Sequence, residues 1–326
     1  MAGMSCMPLA ASTARATPTP ALSNPAASPG ARALYRYIAG LRGRQTLTGQ
    51  MESTWDGGPR SELDYIRKCS GKLPALLGLD YIDPADNDHV NDRASRWYLE
   101  EGGIATLCWH WGAPDIGPGY ENAKKPFDAV AALVPGTPQH RVMLRDMDAI
   151  ADKLAVLQRR GVPILWRPFH EFTGTWFWWG QHGPAVFRQL WQCMYRHFTV
   201  TRGLDNLIWV LGYSHEPDKA YDPGRAFYDI AGADAYVDDH GPLKSLYDRV
   251  VAITGPDIPI ALHENGPIPD PEQMRASGAD WCYFMTWHTK YIKDPAINPP
   301  ALIRAAYRSP RYATLSDVRR DLPRRR

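Results

Sequence analysis

Two stretches of this 326-residue chain carry a glutamate to the end of an apolar run and surround it with groups able to tune it. The first reads Trp166-Arg167-Pro168-Phe169-His170-Glu171, then Gly174 and the aromatic run Trp176-Phe177-Trp178-Trp179-Gly180. The second reads Ile260-Ala261-Leu262-His263-Glu264-Asn265-Gly266. If each run is a strand its side chains alternate, so Arg167, Phe169 and Glu171 share one face. Two carboxyl groups facing each other in an aromatic cleft are the minimum equipment for hydrolysing a glycosidic bond. One must stay protonated to donate to the leaving oxygen, and the other must be ionised to attack the anomeric carbon, so their surroundings must differ. Arg167, pointing the same way, would hold a neighbouring carboxylate in its charged form. The plainer alternative is that each glutamate caps a helix or pairs with an arginine. A third His-Glu dipeptide, His215-Glu216, raises a metal-dependent hydrolase as a rival class. Adjacent strand residues face opposite ways, however, and neither His-x-His nor His-Glu-x-x-His occurs, so no metal or other cofactor is expected.

These residues need a frame to bring them together. Short apolar runs at Thr46–Gln50, Pro74–Asp80, Ile104–Trp109, Pro163–Pro168, Leu207–Leu211, Asp229–Ala235, Pro259–His263 and Trp281–Trp287 read as strands. Longer amphipathic segments lie between them, clearest at Arg141–Arg160. There Met143, Leu144, Met147, Ile150, Ala151, Leu154 and Leu157 return every three or four positions, and Gly161 supplies a stop. Eight strands alternating with helices predict an α/β protein with a parallel sheet closed as a (β/α)8 TIM barrel. A doubly wound open sheet is the competing architecture, and no G-x-G-x-x-G follows the first strand to support it. In such a barrel chemistry sits where strands run into their following loops, which is where Glu171 and Glu264 fall.

Composition limits the partners. Thirty-seven basic residues against 35 acidic ones leave a formal charge of +2, which gives no electrostatic case for nucleic acid or an anionic membrane. No apolar run is long enough for a membrane-spanning helix. Twelve Trp, 16 Tyr and 8 Phe exceed what a core needs and suggest flat stacking surfaces. The cysteines (Cys6, Cys69, Cys108, Cys193, Cys282) are scattered and form no disulfide or zinc pattern. Residues 1–30 are rich in Ala, Pro, Ser and Thr with a single charge at Arg15, and read as a disordered segment or weak export signal. Residues 31–315 form the expected catalytic barrel, and 316–326, with five arginines from Arg319 onward, a basic solvated tail. A secreted or periplasmic monomer is the expectation.

The motif around Glu171 closely resembles the signature of glycoside hydrolase family 26, chiefly endo-β-1,4-mannanases. The resemblance runs across roughly residues 34–310 and includes Leu47-Thr48-Gly49-Gln50, Gly102-Gly103-Ile104 leading into Trp109-His110-Trp111, and Gly232-Ala233-Asp234-Ala235-Tyr236. It implies a retaining mechanism with Glu171 as acid/base and Glu264 as nucleophile. It further implies sugar contacts from His110, His170, Trp176, Asp234, Tyr236 and Trp287, with Tyr236 also hydrogen-bonded to Glu264 and Arg167 in support. Of Trp178 and Trp179, one is expected outward and one packed. His263 departs from the family, where a small residue is common before the nucleophile. The substrate implied is a β-mannan, with β-1,3-xylan or mixed-linkage β-glucan as alternatives, and a catalytically silent polysaccharide-binding barrel as the non-enzymatic one. Retaining chemistry further requires the two carboxyl groups about 5–5.5 Å apart rather than about 6.5–9.5 Å.

Overall fold

The computed structural model describes residues 21–322. Eight parallel strands close on themselves: β1 (Thr46–Met51), β2 (Leu76–Asp80), β3 (Ile104–Cys108), β4 (Ile164–Arg167), β5 (Leu207–Tyr213), β6 (Ile230–Ala235), β7 (Ile260–Asn265) and β8 (Trp281–Thr286). Each expected strand is present, and closure comes from β1 pairing with both β8 and β2. A two-residue strand, β9 (Tyr312–Ala313), adds to the start of β1. Its place follows from the stagger of a barrel: Gly49 is the first β1 residue opposite β2, at Leu76, and Tyr312 and Ala313 pair Thr46 and Leu47 below it.

The helical shell follows the apolar periodicity. Helix Pro138–Arg159 buries Met143, Met147, Ile150, Ala151, Leu154 and Leu157. It begins three residues before the expected Arg141, because the Thr137 side chain accepts from the His140 N–H and Pro138 occupies the first turn. Aromatic residues crowd the layer between strands and helices, with Trp97, Trp166, Trp178, Trp179, Trp191 and Trp209 all fully buried. Much of the tryptophan surplus is therefore packing. Trp178 and Trp179 are both in the core, so neither provides the outward platform expected of one of them.

The barrel's N-terminal end is plugged by a segment that overlaps the expected disordered leader. Helix Pro29–Gly40, capped by the Ser28 hydroxyl, packs Ala31, Leu34, Tyr35 and Ile38 against interior residues such as Leu47, Leu76, Leu165 and Ile208. Ordered contacts start earlier still. Leu22 and Ala27 are buried, the Asn24 amide donates to the Leu204 carbonyl, and the Ser23 N–H donates to Asp229. The boundary at residue 30 is thus too late; the rest of the expected leader, residues 1–20, lies outside the described residues. The other boundary is too early. Residues Leu315–Asp321 form a helix with a Thr314/Asp317 capping box, and Leu315, Val318 and Leu322 are buried, so a basic tail from 316 is replaced by an amphipathic turn. Its final residues, 323–326, lie outside the described set.

Asp229 ties the N-terminal segment to the barrel wall. It is fully buried, accepts from the Ser23 and Trp209 N–H groups, and burial pushes its carboxyl up to about 6. A carboxyl raised in this way has its stabilising contribution intact below its ordinary range, and loses it as pH rises through about 6. Removing residues 1–25 takes away one donor to the charged form. The shortened chain is expected to melt lower, with a larger deficit at pH 8 than at pH 5. Equal deficits in thermal scans at the two pH values would exclude Asp229 as the anchor.

Candidate active site

β4 ends at Arg167, and the chain beyond it is not extended. Phe169 and Glu171 both have left-handed backbones, φ 50° and 55°, as does Thr175 at 59°. Such conformations cost bulky residues on the order of 1–3 kcal/mol each and persist where surrounding contacts over-determine them. Here the Glu171 N–H is anchored on the Gly212 carbonyl of β5 at 2.7 Å. Strand alternation therefore holds for Arg167 and fails after it. Phe169, expected in the barrel mouth, is buried among Trp111, Trp178, Trp179, Phe187 and Trp191. His170 turns inward instead, its Nε2 3.0 Å from that of His110.

From this turn Glu171 reaches a cleft of about 860 Å³ at the C-terminal mouth. Of the residues singled out from sequence, Glu171, Glu264, His110, Trp176, Tyr236 and Trp287 line it. Arg167, Asp234 and His170 do not; all three are buried beneath it. His170 and Asp234, expected to contact sugar, instead touch His110 and Arg167 below the cleft surface. One Arg167 nitrogen donates to Glu264 Oε1, and another lies 3.3 Å from Asp234 Oδ2. The Tyr236 hydroxyl donates to Glu264 Oε2 at 2.7 Å, as expected, while its residue remains 42% exposed to the cleft. Trp176 lies against Gly174, where a Cβ would fall 1.9 Å from the indole, and its Nε1 donates to Glu171 Oε2 at 2.9 Å. The wall tryptophan thus also orients the carboxyl.

Oxygens of Glu171, Glu264 and Asp234 all lie within 4.8 Å of one another. Three carboxyl groups so close cannot all be charged beside a single arginine. Burial, then the charges of Glu264 and Asp234, push Glu171 up to about 9. Burial and Asp234 also raise Glu264, opposed by Arg167 and by the Tyr236 hydrogen bond. The negative charge is best placed on Glu264, which receives two donors, while Glu171 receives only an indole N–H. A second close set, Asp80, Cys108 and His110, is satisfied internally, with Asp80 bonded to both the His110 backbone N–H and its Nδ1. The decoy Glu216 is exposed beside His215, away from the cleft.

Sequence reasoning missed part of the cleft. Trp55, 66% exposed after β1, stands edge-on to His288, 4.9 Å between ring centroids. Glu52 is paired with Arg93, and Tyr291 packs on Tyr236. Glu52, Trp55 and His288 sit just past the ends of β1 and β8, where inspection of the following loops would have found them, whereas Arg93 and Tyr291 come from helices. Tyr120, from the segment after β3, also lines the cleft beside His110.

Residues 23–315 match the family described as "Glycosyl hydrolase family 26". The chain is 34% identical over 313 residues to a mannan endo-1,4-beta-mannosidase of Thermothelomyces thermophilus, covering 91% of this chain and 63% of that protein. It is 31% identical over 269 residues to one of Bacillus subtilis, covering 75% of this chain and 73% of the other. Among solved structures, a GH26-CBM35 beta-(1,4)-mannanase of Podospora anserina superposes with a TM-score of 0.83 at 34% identity, over 92% of this chain and 69% of that one. A beta-mannanase from a symbiotic protist of the termite Reticulitermes speratus, complexed with gluco-manno-oligosaccharide, superposes at 0.82 with 27% identity, over 91% of this chain and 97% of that one. The chain spans about half to two thirds of three curated relatives: 63% of the Thermothelomyces protein and 51% and 48% of two from Piromyces. It belongs to glycosyl hydrolase family 26.

The raised Glu171 carboxyl has a stability consequence. Its ordinary value is 4.5, so the folded state binds this proton more tightly than the unfolded chain does. The associated stability is fully present below the ordinary value and is lost as pH climbs toward about 9. Glu171→Gln removes the titration and relieves one of three crowded acids. The variant should melt a few degrees above the wild type at pH 8, with the gain shrinking toward pH 5. A gain independent of pH would mean Glu171 is not held protonated.

Proposed function

We propose that this chain is a retaining glycoside hydrolase that cleaves internal β-1,4-mannosidic bonds of mannan, galactomannan or glucomannan. The observation carrying the reading is the Glu171–Glu264 pair: oxygens within 4.8 Å across the cleft, in surroundings that separate their protonation. That approach suits direct attack and leaves little room for the intervening water that an inverting enzyme requires. The choice of mannan follows the names of the similar proteins.

In the first step Glu264, ionised and aimed by Arg167 and Tyr236, attacks the anomeric carbon. The glycosidic C–O bond breaks, and Glu171 passes its proton to the departing oxygen. A covalent glycosyl ester on Glu264 results, with inversion at carbon. Esterification removes the Glu264 charge, one of the causes holding Glu171 high, so the Glu171 carboxylate is now less basic and persists. It takes a proton from water, whose oxygen attacks the same carbon and frees Glu264, and the second inversion restores the β configuration. Trp176 and Trp287 offer ring faces to the CH groups of the sugar.

The test separates acid catalysis from binding. Glu171→Ala should slow mannan hydrolysis by about 10²–10⁴-fold, because a sugar alkoxide leaves poorly without a proton. An aryl β-mannoside with an acidic phenol should lose far less in its first step, and azide should restore turnover with a β-azide product. Equal losses on both substrates without azide rescue would remove Glu171 from the role. Wild-type hydrolysis confined to β-1,3-xylan or barley glucan, in a reducing-end assay across glycans, would overturn the mannan assignment.

A further inference from the structure

His263 takes no part in the chemistry above, yet it lies directly beneath it. Its ring is fully buried in the barrel, with Nδ1 bonded to Asp234 Oδ1. Space for it comes from two glycines: a Cβ would fall 3.1 Å from Cε1 at Gly212, and 2.9 Å from Cδ2 at Gly232. Its neighbour Glu264 also faces inward, although adjacent strand residues ordinarily oppose, because the pairing of β7 with β8 shifts register between Leu262 and Asn265. The other ring nitrogen, Nε2, and the Tyr283 hydroxyl are both buried without a protein partner. Both residues, with Arg167, Thr106 and Cys108, border a cavity of about 10 Å³, space for about one water.

The groups around this imidazole define what it can do. Arg167 faces it from β4, Asp234 from β6, Tyr283 from β8, Cys108 from β3, His170 from the turn after β4, and Glu264 from its own strand. Beside it lie Met51, Gly78 and Leu79 of β1 and β2, and the backbone of Leu211, Gly212 and Gly232 from β5 and β6. Burial and Arg167 push His263 down to about 3, so it stays neutral at working pH and offers a fixed N–H rather than a charge. Nδ1 faces Asp234 Oδ1, and Asp234 in turn braces Arg167 against Glu264.

We propose that His263 is a positioning residue: its Nδ1–H keeps Asp234 in the carboxylate form that braces Arg167, and through Arg167 it holds Glu264 ready for attack. The inference rests on the glycosidase reading and adds a residue to it. Without the N–H donor, the Asp234 carboxyl, which burial already raises to about 7, moves higher and is held protonated at neutral pH. Arg167 then loses one anchor, and Glu171 loses one of the negative charges that hold its proton.

The experiment compares His263→Leu with His263→Asn in the full chain on soluble mannan. Asparagine places an N–H close to where Nδ1 stands; leucine fills the space without one. The leucine variant should lose about ten- to a hundredfold in kcat with KM within about twofold. Its alkaline limb in kcat/KM should move down by about one pH unit, and asparagine should restore both. Loss of activity with an unmoved limb and no advantage for asparagine would reduce His263 to packing and overturn the proposal. If leucine prevents folding, nitrogen-15 spectra of labelled histidines in the wild type decide: a hydrogen-bonded Nδ1–H that weakens in Asp234→Asn supports it, and an Nδ1 without a proton overturns it. A wild type inactive on every glycan would sink the glycosidase reading itself, whereas an active wild type with indifferent variants sinks only this inference.

Discussion

Arg167 places one permanent positive charge beneath the cleft, beside the clustered carboxyl groups of Glu171, Glu264 and Asp234, and the chemistry of the site follows from that shortage. It contacts Glu264 and Asp234 and leaves Glu171 without a cation. In a buried setting the group lacking a counter-charge keeps its proton. Acid and nucleophile are thus distinguished by where one guanidinium reaches rather than by residue type, since both are glutamates. The barrel makes this possible by projecting β4, β6 and β7 onto one axis, so that groups 97 and 67 residues apart along the chain meet Arg167.

Around that charge the backbone is held in conformations it would not choose. Left-handed residues at Phe169, Glu171 and Thr175 fall within seven positions, and aromatic packing surrounds them. Burying Phe169 among indoles is what turns Glu171 out to the cleft and His170 in toward His110. The aromatic wealth of the chain therefore supports the turn as much as it lines the substrate path.

The strands were legible because each is an apolar run bounded by turn residues, and the barrel followed from their number and alternation with helices. Glu171, Glu264 and Arg167 were legible because a parallel barrel confines chemistry to strand ends. What happens after Arg167 was not, since period-two reasoning assumes extended backbone and has no means to foresee three left-handed residues. The buried places of Asp234 and His170 escaped for a related reason: sequence shows which strand carries a side chain but not its depth in the barrel. The N-terminal boundary was misplaced because Leu22, Asn24 and Ala27 sit in an Ala/Pro-rich stretch without periodicity, and their order comes from distant partners such as Leu204 and Asp229. The C-terminal helix was hidden by its arginines, although Thr314 and Asp317 spelled a capping box.

The plug at the base of the barrel bears on the order of events during synthesis. Residues 22–41 leave the ribosome well before their partners, Leu204, Asp205 and Asp229, which emerge about two hundred residues later, and β1 waits longer still for β8. Through most of translation the nascent chain therefore carries an unsatisfied amphipathic helix and an open strand edge, surfaces prone to intermolecular pairing. Closing loops of this length before their contacts repay the entropy makes assembly slow relative to a locally wired fold. Yield on overexpression should thus be governed by how well these early segments are shielded, more than by the stability of the finished barrel.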